Sequence, residues 1–261
     1  MKHNLPYYLF DNRVRVFIFG KQRSGTSELL TRIARNYEIT HIYCPETHAF
    51  NARVCQPRDF KQVVEMNGVK IHSGCLADGV VLTLPKNEAV GLQTADCPTI
   101  IARHIISGKL VVAHAGRASL IDENYLRNSR ARRQPVSVVK AICEHLDPKM
   151  ENPVCIEIFS CCGIGSGQFE HPVDHPEHGS FNLKMNAHIA KLYGKDCLLD
   201  NDLDRGGIDL HRLIFNQFRL YGVPGDNICK DQIDTANKNH GFFSRRGGDR
   251  TGHNTIMVMC T

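Results

Sequence analysis

A cysteine and a histidine flank two apolar runs in the segment QTADCPTIIARHIISGKLVVAHAG, residues 93–116. The runs are rich in β-branched residues and are joined through Ser107 and Gly108, which predicts a β-hairpin, with a short helix in the first run as the alternative. The midpoint between Cys97 and His114 falls close to this turn, so a hairpin brings both residues to the same end of a sheet. The spacing therefore predicts a neighbouring thiol and imidazole.

A second histidine gives this pair two chemical interpretations. His48 ends another predicted strand, ITHIYCPETH. Zinc held by three nitrogen or sulfur donors keeps a fourth position for water or substrate, so His48, Cys97 and His114 could form an open catalytic site. Without metal, Cys97 is a nucleophile and His114 its base, with Asp96 or another polar group orienting the imidazole. From spacing alone, ordinary core or surface residues remain a third interpretation.

The segment GFFSRRGGDRTGHN, residues 241–254, places Arg245 and Arg246 before a Gly-Gly turn. Forked guanidinium groups on a loop suit phosphate or carboxylate oxygens, so both arginines are candidates for substrate binding. A basic hairpin turn without a ligand explains the pattern equally well. Asp96, beside Cys97, is the third candidate for contact with a substrate.

Three further patterns favour structure over chemistry. FGKQRSGTSELL is arranged like a phosphate-binding loop but has Thr26 where that loop needs lysine, which favours a turn into an N-capped helix. EHPVDHPEHG contains His171, His175 and His178, the composition of a metal tract, but its two prolines favour an exposed loop. CCGIGSGQFE lacks the glycine order of a dinucleotide fingerprint.

Length and composition fit a globular protein of one large domain or two small ones, and one domain spanning residues 1–261 is predicted. The chain has 42% hydrophobic and 23% charged residues, with no repeat or linker. Eleven scattered cysteines and no secretory leader predict free thiols and a cytoplasmic location. The net charge of +5 is dispersed, the run RNSRARR is typical of a solvated face, and every apolar segment is short, so neither nucleic acid nor a membrane is expected as a partner.

The elements that must position these residues are strands and helices in mixed order. Strands are predicted at 13–19, 79–84, 89–94, 99–104, 110–114, 154–159 and in the segment TIMVMC, with helices at 28–37, 135–146, 182–193 and 208–221. Some strands are adjacent in sequence and others are separated by helices. This order indicates an α+β or mixed α/β fold, with mixed sheets and flanking helices.

The segments ADGVVLTLPKNEAVGLQTADCPTIIA, VVAHAG, GIGSGQFE and GFFSRRGGDRTG together resemble the laccase-domain family, the multicopper polyphenol oxidase-like proteins. TADC and HAG, at their spacing, carry most of the resemblance. Members of that family are regarded as purine nucleoside phosphorylases with adenosine deaminase side activity. The resemblance implies a four-layer α/β/β/α arrangement, a purine nucleoside and phosphate as substrates, and no organic cofactor.

The resemblance also implies a metal site. The family's two histidines and cysteine correspond to His48 in PETH, Cys97 in TADC and His114 in AHAG, with His72 in KIHSG as a rival for the first position. His72 lies too close in sequence to Asp78 to leave room for the family's intervening strand, so His48 is preferred. The implied metal is zinc, while the older oxidase name implies copper, which thiolate and imidazole ligands also bind.

Two departures from the family affect the expected pocket. HAGWRG in the family is HAGRAS here, so the tryptophan is absent and the arginine is either displaced to Arg117 or lost. The late Cys-Thr pair corresponds to Asp234-Thr235, and Thr-Gly-Arg to Thr251-Gly252-His253. These departures leave the range of substrates open.

The leading hypothesis is a zinc-dependent purine nucleoside phosphorylase with adenosine deaminase activity. Either phosphate attacks C1′ of the ribose, with Arg245 or Arg246 offsetting its charge, or a water activated by zinc attacks C6 of adenine. A metal-free Cys-His hydrolase or amidase, a copper-dependent polyphenol oxidase and a non-catalytic relative that binds a ligand are the alternatives. The sequence shows no second His and Cys cluster for a multi-copper relay, and it leaves the oligomeric state open.

Overall fold

The computed structural model describes residues 7–10, 13–21, 26–47, 51–84, 87–128 and 135–260. The strands within these ranges are β1 (Tyr7–Leu9), β2 (Val14–Phe19), β3 (His41–Tyr43), β4 (Val54–Cys55), β5 (Gln62–Met66), β6 (Val69–Ser73), β7 (Gly79–Thr83), β8 (Glu88–Thr94), β9 (Thr99–His104), β10 (Lys109–His114), β11 (Ile156–Cys161), β12 (Ile228–Lys230) and β13 (Asn254–Cys260). The α-helices are α1 (Ser27–Asn36), α2 (Arg117–Leu120), α3 (Glu123–Arg127), α4 (Val138–Leu146), α5 (Gly179–Leu192) and α6 (Leu210–Leu220).

The strands form two mixed sheets. The first has seven strands in the order β1-β2-β13-β8-β3-β6-β5, and β3 runs parallel to both of its neighbours. The second has six strands in the order β12-β11-β9-β10-β7-β4, with the central strands antiparallel and β12 and β4 parallel to theirs. Both parallel and antiparallel pairs occur in each sheet, which confirms the predicted mixed α/β class.

The helices and the two sheets are stacked in the order α/β/β/α, with an apolar layer between each pair of neighbours. Side chains from both sheets, such as Val16, Leu92 and Val112, share the layer between them. α1 packs through Leu30 on the outer face of the seven-stranded sheet. α2, α4, α5 and α6 cover the outer face of the six-stranded sheet, where Ile142 is completely buried. Burial of one face of each helix and both faces of the central strands therefore produces the four layers.

The predicted hairpin is present as β9 and β10. Their antiparallel register pairs Lys109 with His104 at the turn and His114 with Thr99 at the far end. Every side chain of β9 is buried, in agreement with a strand covered on both faces. The register carries the residues that precede β9 and follow β10 to the same end of the sheet.

The predicted N-capped helix is also present. The Thr26 hydroxyl accepts a hydrogen bond from the Leu29 amide at the start of α1, so this residue caps a helix where a phosphate-binding loop would carry lysine. Residues 22–25 of the same motif lie outside the described ranges. The strand predicted to end at His48 stops instead at Tyr43, because Pro45 has no amide hydrogen to continue the ladder.

The described residues contain no helix long and apolar enough to cross a bilayer. All eleven cysteines lie within the described ranges and are free thiols. Of the basic run at 127–133, only residues 127 and 128 are described, and Arg127 ends α3.

Candidate functional site

The strand ends of the hairpin bring Cys97 and His114 together. His114 is the last residue of β10, and the amide of Ala115 beyond it donates to the Pro98 carbonyl at 2.8 Å. The pairing thus continues past Thr99, the first residue of β9. The Cys97 thiol lies beside the His114 ring, close enough to raise the pKa of the imidazole. The neighbouring thiol and imidazole expected from the sequence are therefore present.

Gly116 lies against both of these side chains. A Cβ atom at this position would be 2.9 Å from Cε1 of His114, 3.4 Å from its Nε2 and 3.1 Å from Sγ of Cys97. Nε2 and Sγ consequently face one small space, which any residue larger than glycine would enter. Two good metal donors, a thiol and an imidazole nitrogen, converge there.

Asp78 orients the imidazole from its other side. Oδ1 of Asp78 lies 3.3 Å from Nδ1 of His114, and Oδ2 accepts a hydrogen bond from the Ala52 amide at 2.6 Å. Because the carboxylate accepts, Nδ1 carries the proton and Nε2 is left to face Cys97. Burial lowers the pKa of His114, but the hydrogen bonds with Asp78 and Cys97 and their negative charges outweigh it and raise this pKa to about 9.

Asp96 holds the loops around the pair. It is 4% exposed and has a φ of 88°, a conformation that few residues other than glycine adopt. Its Oδ1 accepts from the Thr235 hydroxyl at 2.9 Å and its Oδ2 from the Arg246 amide at 3.0 Å. Both carboxylate oxygens are thus used within the protein, and the group that orients His114 is Asp78.

His48, expected as the third metal ligand, lies outside the described residues. The described residues that follow His48 in sequence reach the site, since the Ala52 amide donates a hydrogen bond to Asp78. The rival His72 lies on β6 in the seven-stranded sheet, where its Nε2 is 2.8 Å from Nδ1 of His41. Within the described ranges no three His, Cys, Asp or Glu side chains are grouped as a metal site.

The two arginines proposed for substrate binding point to different partners. The Arg245 guanidinium donates to the Asp249 carbonyl, and its Nη2 lies 3.2 Å from Nε2 of His253. Arg245 therefore stabilises its own loop. The Arg246 guanidinium stacks 5.3 Å from the centre of the Phe169 ring and lines a cavity. Arg246 is therefore the better placed of the two for contact with a ligand.

The tract EHPVDHPEHG has one buried histidine and two that are at least partly exposed. His171 is 4% exposed, whereas His178 is exposed and His175 half-buried, and the last two rings stack at 4.8 Å. All three line the cavity that Arg246 lines. The prediction of a wholly exposed loop is wrong for His171, because the Gly206 carbonyl and the Asn186 side chain hold its backbone inside the protein.

The family described as multi-copper polyphenol oxidoreductase laccase matches residues 28–261. The chain belongs to this family. That assignment confirms the resemblance inferred from the TADC and HAG motifs.

Three solved structures share this fold along almost their whole length. A Neisseria meningitidis protein has a TM-score of 0.68 and 15% identity, with 99% of this chain and 99% of that chain covered. The hypothetical protein YfiH of Bacillus licheniformis gives 0.66 and 15%, with 96% and 94% covered. YlmD of Geobacillus stearothermophilus gives 0.64 and 15%, with 95% and 92% covered. No protein with a curated description matches the sequence significantly.

Two residues of this laccase-family site, Asp78 and Gly116, were not identified from the sequence as functional, and a contact of a third, Thr235, was not foreseen. Asp78 stands in the ADGVV motif, directly before β7, and an acidic residue at the start of an apolar strand was a usable signal, because such a residue is buried only when it has partners. Gly116 completes the HAG motif that was used only for its histidine. The resemblance placed Thr235 near the expected pocket, but its contact with Asp96 could not be found from a local pattern, because the two residues are 139 positions apart.

Proposed function

We propose that this chain is a metal-dependent enzyme that cleaves purine nucleosides with phosphate and also deaminates adenosine. Membership in the laccase family and the activities expected from the resemblance support this proposal. The observation that carries it is the convergence of Sγ of Cys97 and Nε2 of His114 beside Gly116, with Asp78 behind the imidazole.

The donor set fits zinc. A thiolate and a neutral imidazole nitrogen are its usual ligands, and a carboxylate on the far nitrogen of a ligating histidine fixes both tautomer and ring orientation. Asp78 has that relationship to His114. In the proposal Cys97, His114 and His48 hold the metal. When bound, zinc would supply a Lewis acid that polarises a substrate group or activates a water.

The protein's own residues would bind and orient the substrates. Asp78 keeps Nε2 of His114 directed at the site, and Asp96 fixes the position of the Arg246 backbone. The guanidinium of Arg246, a planar donor of several hydrogen bonds, would bind a phosphate oxygen and offset its charge. Gly116 lies so close to the thiol and the imidazole that a larger residue at this position would crowd both groups.

One observation supports a second candidate function, a metal-free thiol hydrolase. Cys97, His114 and Asp78 lie next to one another in the order nucleophile, base and orienting carboxylate, with Asp78 in contact with Nδ1 of His114. A raised pKa of His114 favours its protonated form beside the thiol. In this mechanism the thiolate would attack an acyl or amidine carbon, and the imidazolium would protonate the leaving group.

Product analysis separates these functions. Purified protein is incubated with adenosine, with and without phosphate, and the products are resolved by chromatography. Adenine that forms only with phosphate identifies phosphorolysis, and inosine identifies deamination. Cys97→Ala should abolish both, whereas Cys229→Ala, a matched change at an exposed thiol of β12, should abolish neither. If no purine nucleoside is converted after zinc is added, the proposal fails and the thiol hydrolase becomes the better account.

A further inference from the structure

The strand β5 ends the seven-stranded sheet and is exposed on both faces. It pairs with β6 on one side, and no described residue pairs with its other side. Val63 is 53% exposed and Val64 58%, and Gln62 and Glu65 are exposed as well. β5 has five residues, whereas the other edge strands, β1, β4 and β12, have two or three. It is therefore the longest edge strand of the described sheets.

The open edge of β5 carries the backbone groups of alternate residues. On β6, the Lys70 amide donates to the residue before β3, and the His72 carbonyl accepts from the residue after β3, both at 2.9 Å. Lys70 and His72 thus direct these groups away from β5. Their partners in the antiparallel register, Glu65 and Val63, must direct theirs to the opposite side, which is the open edge.

The turn of the hairpin gives the same alternation. Asn67 and Gly68 have φ values of 55° and 76°, which is the conformation of a two-residue hairpin turn. Such a turn closes on a hydrogen-bonded pair, here Met66 and Val69. Counting back from Met66 in steps of two, Val64 also faces β6. A rigid turn therefore holds the open edge in an extended form, ready to pair with another strand.

The charges at the two ends of β5 restrict the strands that can pair with it. Lys61 directly precedes β5, Glu65 lies four residues later, and both are exposed. Like charges that meet across an edge oppose pairing, and opposite charges favour it. When two β5 strands run antiparallel with Val63 opposite Val63, each Lys61 lies opposite Glu65 of the second copy. β5 is therefore complementary to itself.

The same register matches the open backbone groups. The two Val63 residues would exchange hydrogen bonds, and the Glu65 amide would donate to the Lys61 carbonyl of the second copy; the Lys61 amide is bonded to the Ser73 carbonyl within its own hairpin. A shift by one residue would oppose Val63 to Val64, which faces β6. A shift by two residues would separate Lys61 from Glu65, so the charges and the backbone select one register.

We propose that two copies of this chain associate through β5. The strands pair about a twofold axis at Val63 and join the two seven-stranded sheets into one continuous sheet. About five residues a side is far fewer than the roughly 20–30 of a standard interface, so the dissociation constant should be on the order of 0.1 mM. Association needs neither a metal nor turnover at Cys97, so it stands apart from the proposed function.

Sedimentation equilibrium of the full chain tests this proposal. A reducing agent keeps the exposed Cys229 thiol from forming disulfides between copies. Between about 10 μM and about 1 mM protein, the mean mass should rise from that of one chain toward that of two, as a dissociation constant near 0.1 mM requires.

Val63→Pro tests the backbone contact. Proline removes the amide that faces the open edge and leaves the hydrogen bonds of β5 with β6 in place, the position at which an edge strand tolerates proline. We expect a folded protein, as judged by thermal unfolding, that stays monomeric up to about 1 mM.

Charge reversal tests the register in variants whose changed side chains are exposed. Lys61→Glu and Glu65→Lys should each weaken self-association at least about threefold, because like charges then meet at both ends of the paired strands. An equimolar mixture of these two variants should associate at least as tightly as the unmodified protein, since every pair of charges is again opposite. Lys184→Glu, at an exposed lysine of α5, carries the same change in net charge and is the matched control. Its mixture with Glu65→Lys should show no such gain.

Three results would overturn the proposal. The first is an unmodified protein that remains monomeric at about 1 mM. The second is a folded Val63→Pro protein that dimerises as the unmodified protein does, which would assign the contact to another surface. The third is a mixture of Lys61→Glu and Glu65→Lys that associates no better than either variant alone.

Discussion

Nδ1 of His114 lies 3.3 Å from Oδ1 of Asp78, and the exposed fractions of the two side chains are 6% and 0%. A buried carboxylate at that nitrogen fixes the protonated position of the imidazole, so the opposite nitrogen is held toward Cys97. The relationship serves either a metal ligand or a general base.

Replacing Asp78 should therefore weaken zinc binding and turnover without unfolding the protein. We expect Asp78→Asn to lower zinc affinity and adenosine turnover by roughly 10- to 100-fold, the usual effect of losing a partner of a ligating histidine. Zinc content by mass spectrometry and turnover by chromatography measure the two effects. Asp226→Asn, at an exposed carboxylate, is the control. Turnover equal to that of the unmodified protein would show that Asp78 has no part in the chemistry.

A methyl group at Gly116 should block the space shared by the thiol and the imidazole. Gly116 has a φ of −69°, so alanine fits the backbone, but its Cβ would lie 2.9 Å from Cε1 of His114. We expect Gly116→Ala to fold and to lose at least about tenfold in zinc affinity. Gly167→Ala, whose nearest neighbour is 3.9 Å away, should bind zinc as the unmodified protein does. Unchanged zinc binding in Gly116→Ala would argue against a metal at this point.

The contact between Asp96 and Thr235 should contribute to stability. Thr235 is 1% exposed, and its hydroxyl is the only described donor to Oδ1 of Asp96. Thr235→Val leaves a buried carboxylate oxygen unpaired and should lower the free energy of unfolding by about 1–3 kcal/mol. Urea denaturation measures this loss. Thr83→Val, at an exposed threonine, should change it by less than about 0.5 kcal/mol, and an equal effect of both changes would contradict the assignment.

Much of this fold follows from the sequence, for local reasons. The hairpin of β9 and β10 was predicted because its two runs and its turn lie within one short segment, and the helices were predicted from their apolar periodicity. The hairpin of β5 and β6 was missed, although Asn67 and Gly68 between them, with φ values of 55° and 76°, form a turn whose Asn-Gly sequence is a known signal.

The candidate site was predicted less completely, because its remaining parts come from distant segments. Cys97 and His114 were found through their register in one hairpin. The roles of Asp78, Thr235 and the cavity around His171 depend on how loops of different strands meet after folding. The two-residue period of strands and the 3.6-residue period of helices carry no information about contacts between distant loops. Such contacts can be identified only from the structure.

Acid should destabilise the protein partly through His211. Nδ1 of this residue lies 2.8 Å from the Ser160 hydroxyl, and burial, together with the charge of Lys230, lowers its pKa to about 4. An unfolded histidine binds its proton near pH 6.5, so between pH 6.5 and about 4 the unfolded chain holds more protons and the free energy of unfolding falls as the pH falls.

We expect His211 to account for about 2 kcal/mol of the stability lost between pH 7 and pH 5. Urea denaturation at both pH values should therefore show a smaller loss in His211→Asn than in the unmodified protein. His178→Asn, at an exposed histidine, is the matched control and should leave the loss unchanged. Identical pH dependence in His211→Asn and the unmodified protein would exclude a buried neutral His211.

Titration of zinc into chelator-treated protein, with adenosine conversion in phosphate followed at each addition, tests the central claim most directly. The account predicts that the metal-free protein is inactive and that activity rises to a plateau at one zinc per chain, with no rise in Cys97→Ala. Full activity of the metal-free protein, abolished by a thiol alkylator, would contradict the metal site and indicate a Cys-His hydrolase instead.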